Sequence, residues 1–141
     1  MPAAPRSRLR QAAGRASDTT AEWMPTAARM LLGLVLAWFG YHELVRPGQW
    51  TGYVPVVPSG SPLAVILVLA HGWVLLVLAV ALAAGIAPRA AAAIAAVLLL
   101  EIVISLMVTG GLSDLTLRDV GVLGLAACLT GCRRHRLVLR G

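Results

Sequence analysis

The sequence predicts an all-α membrane protein, an antiparallel four-helix transmembrane bundle with a flexible N-terminal tail. Three observations carry that prediction. Of the 141 residues, 59% are hydrophobic and only 13% charged, and the mean hydropathy is +0.83. The apolar residues gather into four runs of about 20, the length that crosses a bilayer rather than the length of an ordinary core helix. The twelve basic residues are all Arg and outnumber the six acids. They flank the apolar runs, which is the pattern of membrane topology and not of nucleic-acid binding.

Residues 1–26 are polar, Arg-rich and without apolar periodicity, so they read as a disordered cytoplasmic tail. No apolar stretch begins before about residue 27, which argues against a cleaved signal peptide. The transmembrane domain follows over 27–132, with spans at about 27–46, 62–86, 89–109 and 115–132. At about 1.5 Å per residue each is long enough to cross. Pro88 and Arg89 mark a tight turn between the second and third spans, and Gly110 and Gly111 open the connection to the fourth. Residues 133–141 form a basic cytoplasmic tail.

Orientation follows from the arginines. Arg6, Arg8, Arg10, Arg15 and Arg29 precede the first span, Arg89 sits in the second connection, and Arg133, Arg134, Arg136 and Arg140 follow the fourth. Ten of the twelve thus share one side, with Arg46 and Arg118 on the other. Positively charged loops stay cytoplasmic, so both termini are expected on the cytoplasmic face of the cell membrane.

The one long connection, "RPGQWTGYVPVVPSGSP", holds Pro47, Pro55, Pro58 and Pro62, which prevent a continuous helix. Trp50 and Tyr53 within it are of the type that sits at a membrane interface. The loop is expected on the outer surface, either as an anchor in the headgroups or as a lid. Helices in lipid associate through small residues and polar pairs. Gly33, Ala37 and Gly40 form such a stripe on the first span, Gly121, Gly124, Cys128 and Gly131 on the fourth, and "AAAAIAAV" opens the third. Cys128 and Cys132 lie one helical turn apart. They are either small residues at a packed helix end or a redox pair, and no metal site is expected from them, because zinc needs four ligands.

Glu101 stands in the apolar run "AAVLLLEIVISL". A carboxylate at mid-span opposes insertion by about 2.5–3.5 kcal/mol, against about 0.3–0.6 kcal/mol returned by each Ile, Val or Leu. It is therefore tolerated, but it belongs against protein or water rather than lipid. Counted from the outer ends, Glu101 lies about 12 Å down span three and His71 about 13 Å down span two. An intramembrane pair, His71 with Glu101, is the expectation, either structural or protonatable. Nearer the outer face, His42, Glu43, Arg118 and Asp119 form a candidate polar pocket, with a Glu43–Arg118 ion pair and Asp119 at a helix N-terminus. Haem ligation by His42 and His71 is not expected, since their depths differ by about 7 Å.

The run "RMLLGLVLAWFGYHELVRPGQWTGYVP", the "APRAAA" turn and "GGLSDLTLRDVGVLGLA" resemble the DoxX/DoxX-like family of small bacterial membrane proteins. The likeness covers roughly residues 28–130 and is most specific at Phe39-Gly40 and at Arg118-Asp119 leading into Gly121 and Gly124. It implies a four-helix bundle of the bacterial inner membrane associated with redox chemistry. Named relatives include a membrane subunit of thiosulfate:quinone oxidoreductase. A quinone ligand and a peripheral oxidoreductase partner are thus what the resemblance implies, with a homo-oligomer also open. One departure argues against transferring a catalytic role: relatives often carry a glutamate after the "HG" of span two, where Trp73, Val74, Leu75 and Leu76 follow His71-Gly72 here. The expected function is a redox-linked subunit that is not catalytic alone. The alternatives are a scaffold and a proton-coupled carrier working through Glu101 and His71.

Overall fold

The computed structural model describes the backbone of residues 5–132 and the side chains of 20–132. The expected C-terminal basic tail, 133–141, lies outside the described residues, as do the side chains of Arg6, Arg8, Arg10 and Arg15. The described chain is helical, with α1 Pro5–Val45, a loop containing two short 3₁₀ turns, α2 Pro62–Ala84, α3 Pro88–Gly110 and α4 Asp114–Gly131. Three segments are long and apolar enough to cross a membrane: Thr20–Val45, Pro62–Ala84 and Pro88–Gly110. α4 is 18 residues long and carries Asp114, Arg118 and Asp119 in its first two turns.

The expected tail is corrected at this level. α1 begins at Pro5 and runs without a break through Pro25, so residues 5–26 are helical. The physical reason lies in composition. Ala, Arg, Gln and Glu, all strong helix formers, make up ten of these 22 residues, and Pro is favoured at a helix's first position. Absent apolar periodicity bears on what a helix packs against, not on whether it forms.

The other ends follow local chemistry. Ser61 caps α2 by accepting from the Ala64 N–H at 3.2 Å, with Pro62 next. Gly85 closes α2 in the left-handed region at φ 70°. The Ile86 N–H then reaches back to the Ala81 carbonyl and the Gly85 N–H to that of Leu82, the paired bonds of a Schellman motif. Ser113 caps α4 by accepting from Thr116 N–H at 3.3 Å.

α1 lies chiefly against α2, and α3 against α4, while α2 and α3 touch less closely. The first pair meets through glycine. A Cβ on Gly40 would fall 2.7 Å from the Gly72 carbonyl oxygen, and one on Gly33 would fall 3.1 Å from that of Ala79. The stripe expected on span one is therefore a packing seam. The stripe expected on α4 is not: Gly121, Gly124 and Gly131 have open space where a Cβ would stand. The small residues of α3 are used, with Ala91, Ala92 and Ala95 buried against Leu32, Leu36, Leu78, Leu82 and Leu129. Arg89 ties the start of α3 to the end of α4, its Nε donating to the Thr130 carbonyl at 3.1 Å.

Outside this core the helices present Leu34, Ile66, Val77, Val80, Val97, Ile104 and Val108 outward. So continuous an apolar exterior is the surface of a membrane protein, since water-soluble monomers rarely expose apolar patches above a few hundred Å². Arg29, which the sequence suggested would flank the first span, is instead fully buried inside α1's packed face.

Candidate functional site

At the end of the helices where α1 finishes and α2 begins, packing opens into a cavity of about 390 Å³. α1 contributes Phe39 and Glu43, α2 contributes His71, α3 contributes Glu101 and Ser105, and α4 contributes Arg118 and Asp119. The rest of the wall is apolar, including Leu67, Val68 and Val74 from α2 and Leu98, Leu99 and Ile102 from α3. Every helix supplies one or more polar groups to a mostly hydrocarbon chamber, the composition common to small-molecule sites.

The loop covers one side of the chamber. Trp50 and Tyr53 line it, with Trp50 meeting Phe39 edge-on at 6.1 Å between ring centres and Tyr53 at 6.2 Å. Thr51 is buried and holds the loop, donating to the Gly48 carbonyl at 3.0 Å and accepting from the Gly60 N–H at 3.1 Å. Ser105 of α3 hydrogen-bonds the Tyr53 carbonyl, so the loop is fastened to a helix rather than only laid on the headgroups. These contacts seat Trp50 and Tyr53 against the helices at the cavity wall.

The polar pairs differ from those expected. His71 Nδ1 lies 2.8 Å from Glu43 Oε2, so its partner is Glu43 and not Glu101. The Gly40–Gly72 seam explains this, because it draws α1 onto α2 and leaves the Glu43 Cβ within 3.1 Å of a Cβ placed on Gly72. α3 stands further away. Glu101 and His71 line the same cavity without a hydrogen bond between them. Glu101 is exposed at the cavity wall, and no hydrogen bond or ion pair holds its carboxylate among the described residues.

The expected Glu43–Arg118 ion pair is likewise replaced. Arg118 Nε donates to Asp119 Oδ1 at 3.1 Å, and the guanidinium lies 4.9 Å from the centre of the Phe39 ring, a cation–π contact. Asp119 is buried in the second turn of α4, beyond the N-terminal position suggested for it. Phe39 and Arg118 also form part of a second, apolar cleft with Leu34, Val35, Trp38 and Val122, so they stand between the two spaces.

His42 does not join the pocket. Its Nδ1 lies 2.9 Å from the Trp38 carbonyl oxygen, and its ring sits 4.3 Å from that of Trp38. A single residue step around the helix decides this, since the adjacent Glu43 occupies the inward position. Cys128 and Cys132 are free thiols, with Cys132 Sγ 3.5 Å from the Cys128 carbonyl. Among the described residues, no group of three or more His, Cys, Asp or Glu is placed to hold a metal ion. The sequence reading missed Phe39, Ser105 and Thr51; only Phe39 carried a signal, as an aromatic one turn before an inward acid.

Comparison of the chain with protein-family models, with curated proteins and with solved structures finds no match.

Proposed function

We propose that the chain crosses the bacterial cell membrane four times as an antiparallel bundle and serves as a quinone-associated subunit of a redox assembly, in the manner of DoxX-like proteins. The observation that carries the reading is the cavity. It joins hydrocarbon walls, an aromatic lid and ionisable groups from all four helices in one chamber. A lipid-soluble ring fits that chemistry: its faces lie against Leu, Val and aromatic side chains, and its oxygens meet the polar cluster. The half-exposed Arg118 guanidinium is a donor for a carbonyl oxygen.

Within this reading the chain binds and orients the ring, and a peripheral oxidoreductase exchanges electrons with it. Quinone bound here supplies the redox chemistry, while Glu43, His71, Glu101 and Arg118 supply hydrogen bonds and charge. The chain is not catalytic alone.

The test is mass spectrometry of the full chain withdrawn gently from its native membrane. Bound quinone and a copurifying oxidoreductase are expected, and Ala70→Trp, which places a large side chain on the cavity wall, is expected to expel the quinone. A chain that carries no quinone and takes up none of an added short-chain analogue overturns the reading.

A further inference from the structure

The ionisable groups of the chamber do not balance. Glu43 is matched by His71 at 2.8 Å and Asp119 by Arg118 at 3.1 Å, which leaves Glu101 without a counter-charge. As a carboxylate, Glu101 gives the chamber at least one uncompensated negative charge, whichever state the imidazole takes. A charge near the middle of a span is costly in hydrocarbon and is ordinarily found paired. Arg118 does not serve, because its guanidinium is held by Asp119 and lies over Phe39.

Placement shows from which side a partner comes. Glu101 lines the cavity and is also exposed, on the face of α3 that carries Val97 and Ile104 outward. On α2, Leu67 and Val74 line the cavity and are exposed too, each by 43%. Residues that belong to both surfaces mark a rim. α2 and α3 touch less closely than α1 and α2 or α3 and α4, so this rim is a mouth that opens sideways between them, toward the hydrocarbon of the bilayer. One helical turn from Glu101, Ser105 hydrogen-bonds the Tyr53 carbonyl and seats the loop beside the same wall. Trp50 and Tyr53 line the chamber there, their ring centres 6.2 Å apart. Aromatic faces attract cations, and more strongly where water is excluded.

We propose that the cavity admits a lipid-soluble organic cation, an ammonium group carried on an apolar ring or chain, through the mouth between α2 and α3, and that Glu101 is its counter-ion. The hydrocarbon walls take the apolar body, the carboxylate takes the charge, and Trp50 and Tyr53 flank it. A neutral ring fills the chamber and leaves Glu101 unmatched, whereas a cation fills it and neutralises it. The proposal goes beyond the redox reading: it needs the cavity, and neither a quinone nor an electron-transfer partner.

The test uses the full chain in nanodiscs of zwitterionic lipid and two radiolabelled probes of one shape. One is a 4-alkylbenzyltrimethylammonium ion, the other the hydrocarbon in which carbon replaces its nitrogen. Each probe is left to distribute between protein-loaded and empty discs, which cancels its solubility in lipid. Wild type is expected to bind the ammonium at least about tenfold more tightly than the hydrocarbon, a difference of about 1.4 kcal/mol. Glu101→Gln keeps the shape and removes the charge. It should bring the two probes to within about threefold, with unchanged hydrocarbon uptake reporting an intact cavity. Glu101→Asp keeps the charge and is expected to keep the preference. Ala70→Trp, on the cavity wall, is expected to expel both probes. Equal affinity of the two probes in wild type overturns the counter-ion while leaving a ring cavity standing, and so does a preference that survives Glu101→Gln or vanishes in Glu101→Asp. Ammonium retained by Ala70→Trp after the hydrocarbon is expelled puts the cation outside the cavity and overturns the proposal. Uptake of neither probe by wild type overturns the proposal and the cavity reading together.

Discussion

Glu43 is a carboxylate whose side chain is only 7% exposed, and the imidazole 2.8 Å away is its single hydrogen-bond partner among the described residues. Removing one member of a buried pair strands the other, whereas replacing both with apolar groups is often neutral. His71→Leu is therefore expected to destabilise the protein by about 3–5 kcal/mol. Adding Glu43→Leu should restore most of the loss, a non-additivity that unfolding followed by circular dichroism in detergent would measure. Simple addition of the two effects would show that Glu43 is solvated independently of His71. The pairing itself was not legible in the sequence. Helical rise gives each residue a depth, and from the span ends Glu43 stood about 9 Å shallower than His71, more than one turn, so depth matched His71 to Glu101 alone. The choice between them rests on how closely the helices approach, which the Gly40–Gly72 contact decides. The sequence separated Glu43, Arg118 and Asp119, together with His42, from a deeper His71–Glu101 pair, and the structure brings those five residues to one chamber while leaving His42 outside it.

Helices α1 and α4 carry stripes of small residues that look alike in sequence and behave differently in the fold. On α1 the stripe is a seam, because the Gly40 position leaves 2.7 Å between a Cβ and the Gly72 carbonyl oxygen. That carbonyl belongs to a helix backbone and cannot swing aside, so Gly40→Ala must push the helices apart. A loss of about 1–3 kcal/mol is expected, in the range of overpacked cores. Gly121→Ala and Gly124→Ala meet nothing within 4 Å and should change stability by no more than about 0.5 kcal/mol. Thermal unfolding of the three variants side by side would measure the contrast. Equal effects would mean that α4 also packs through its glycines. Spacing identifies a face on which helices can approach closely, but not which neighbour takes it. The same limit applies to α1's first turns, where a search for apolar periodicity passed over a helix built from good helix formers.

For the whole molecule, the number of crossings turns on α4. Three segments cross by length and composition, and three crossings would put the chain's ends on opposite faces. α4 falls short of that standard only through Asp114, Arg118 and Asp119, which lie in its first two turns. Of these, Asp119 is buried and Arg118 is engaged with it and with Phe39, while Asp114 is exposed at the helix's first position. Ionisable groups that face a bundle's interior and pair there are compatible with membrane depth. After Asp119 the helix continues with no further charge to Gly131, and Arg89 binds its end to the start of α3. That bond keeps the far end of α4 beside the start of α3. The arginines agree, since four crossings leave ten of the twelve on one side, whereas three would strand Arg133, Arg134, Arg136 and Arg140 on the outer face. Reporter fusions at residues 1 and 141 are accordingly expected to read cytoplasmic together, and a reporter placed after Gly111 should read external. Opposite faces for the two ends would remove α4 from the membrane, open the cavity wall formed by Arg118 and Asp119 to water, and take the proposed ring site with it.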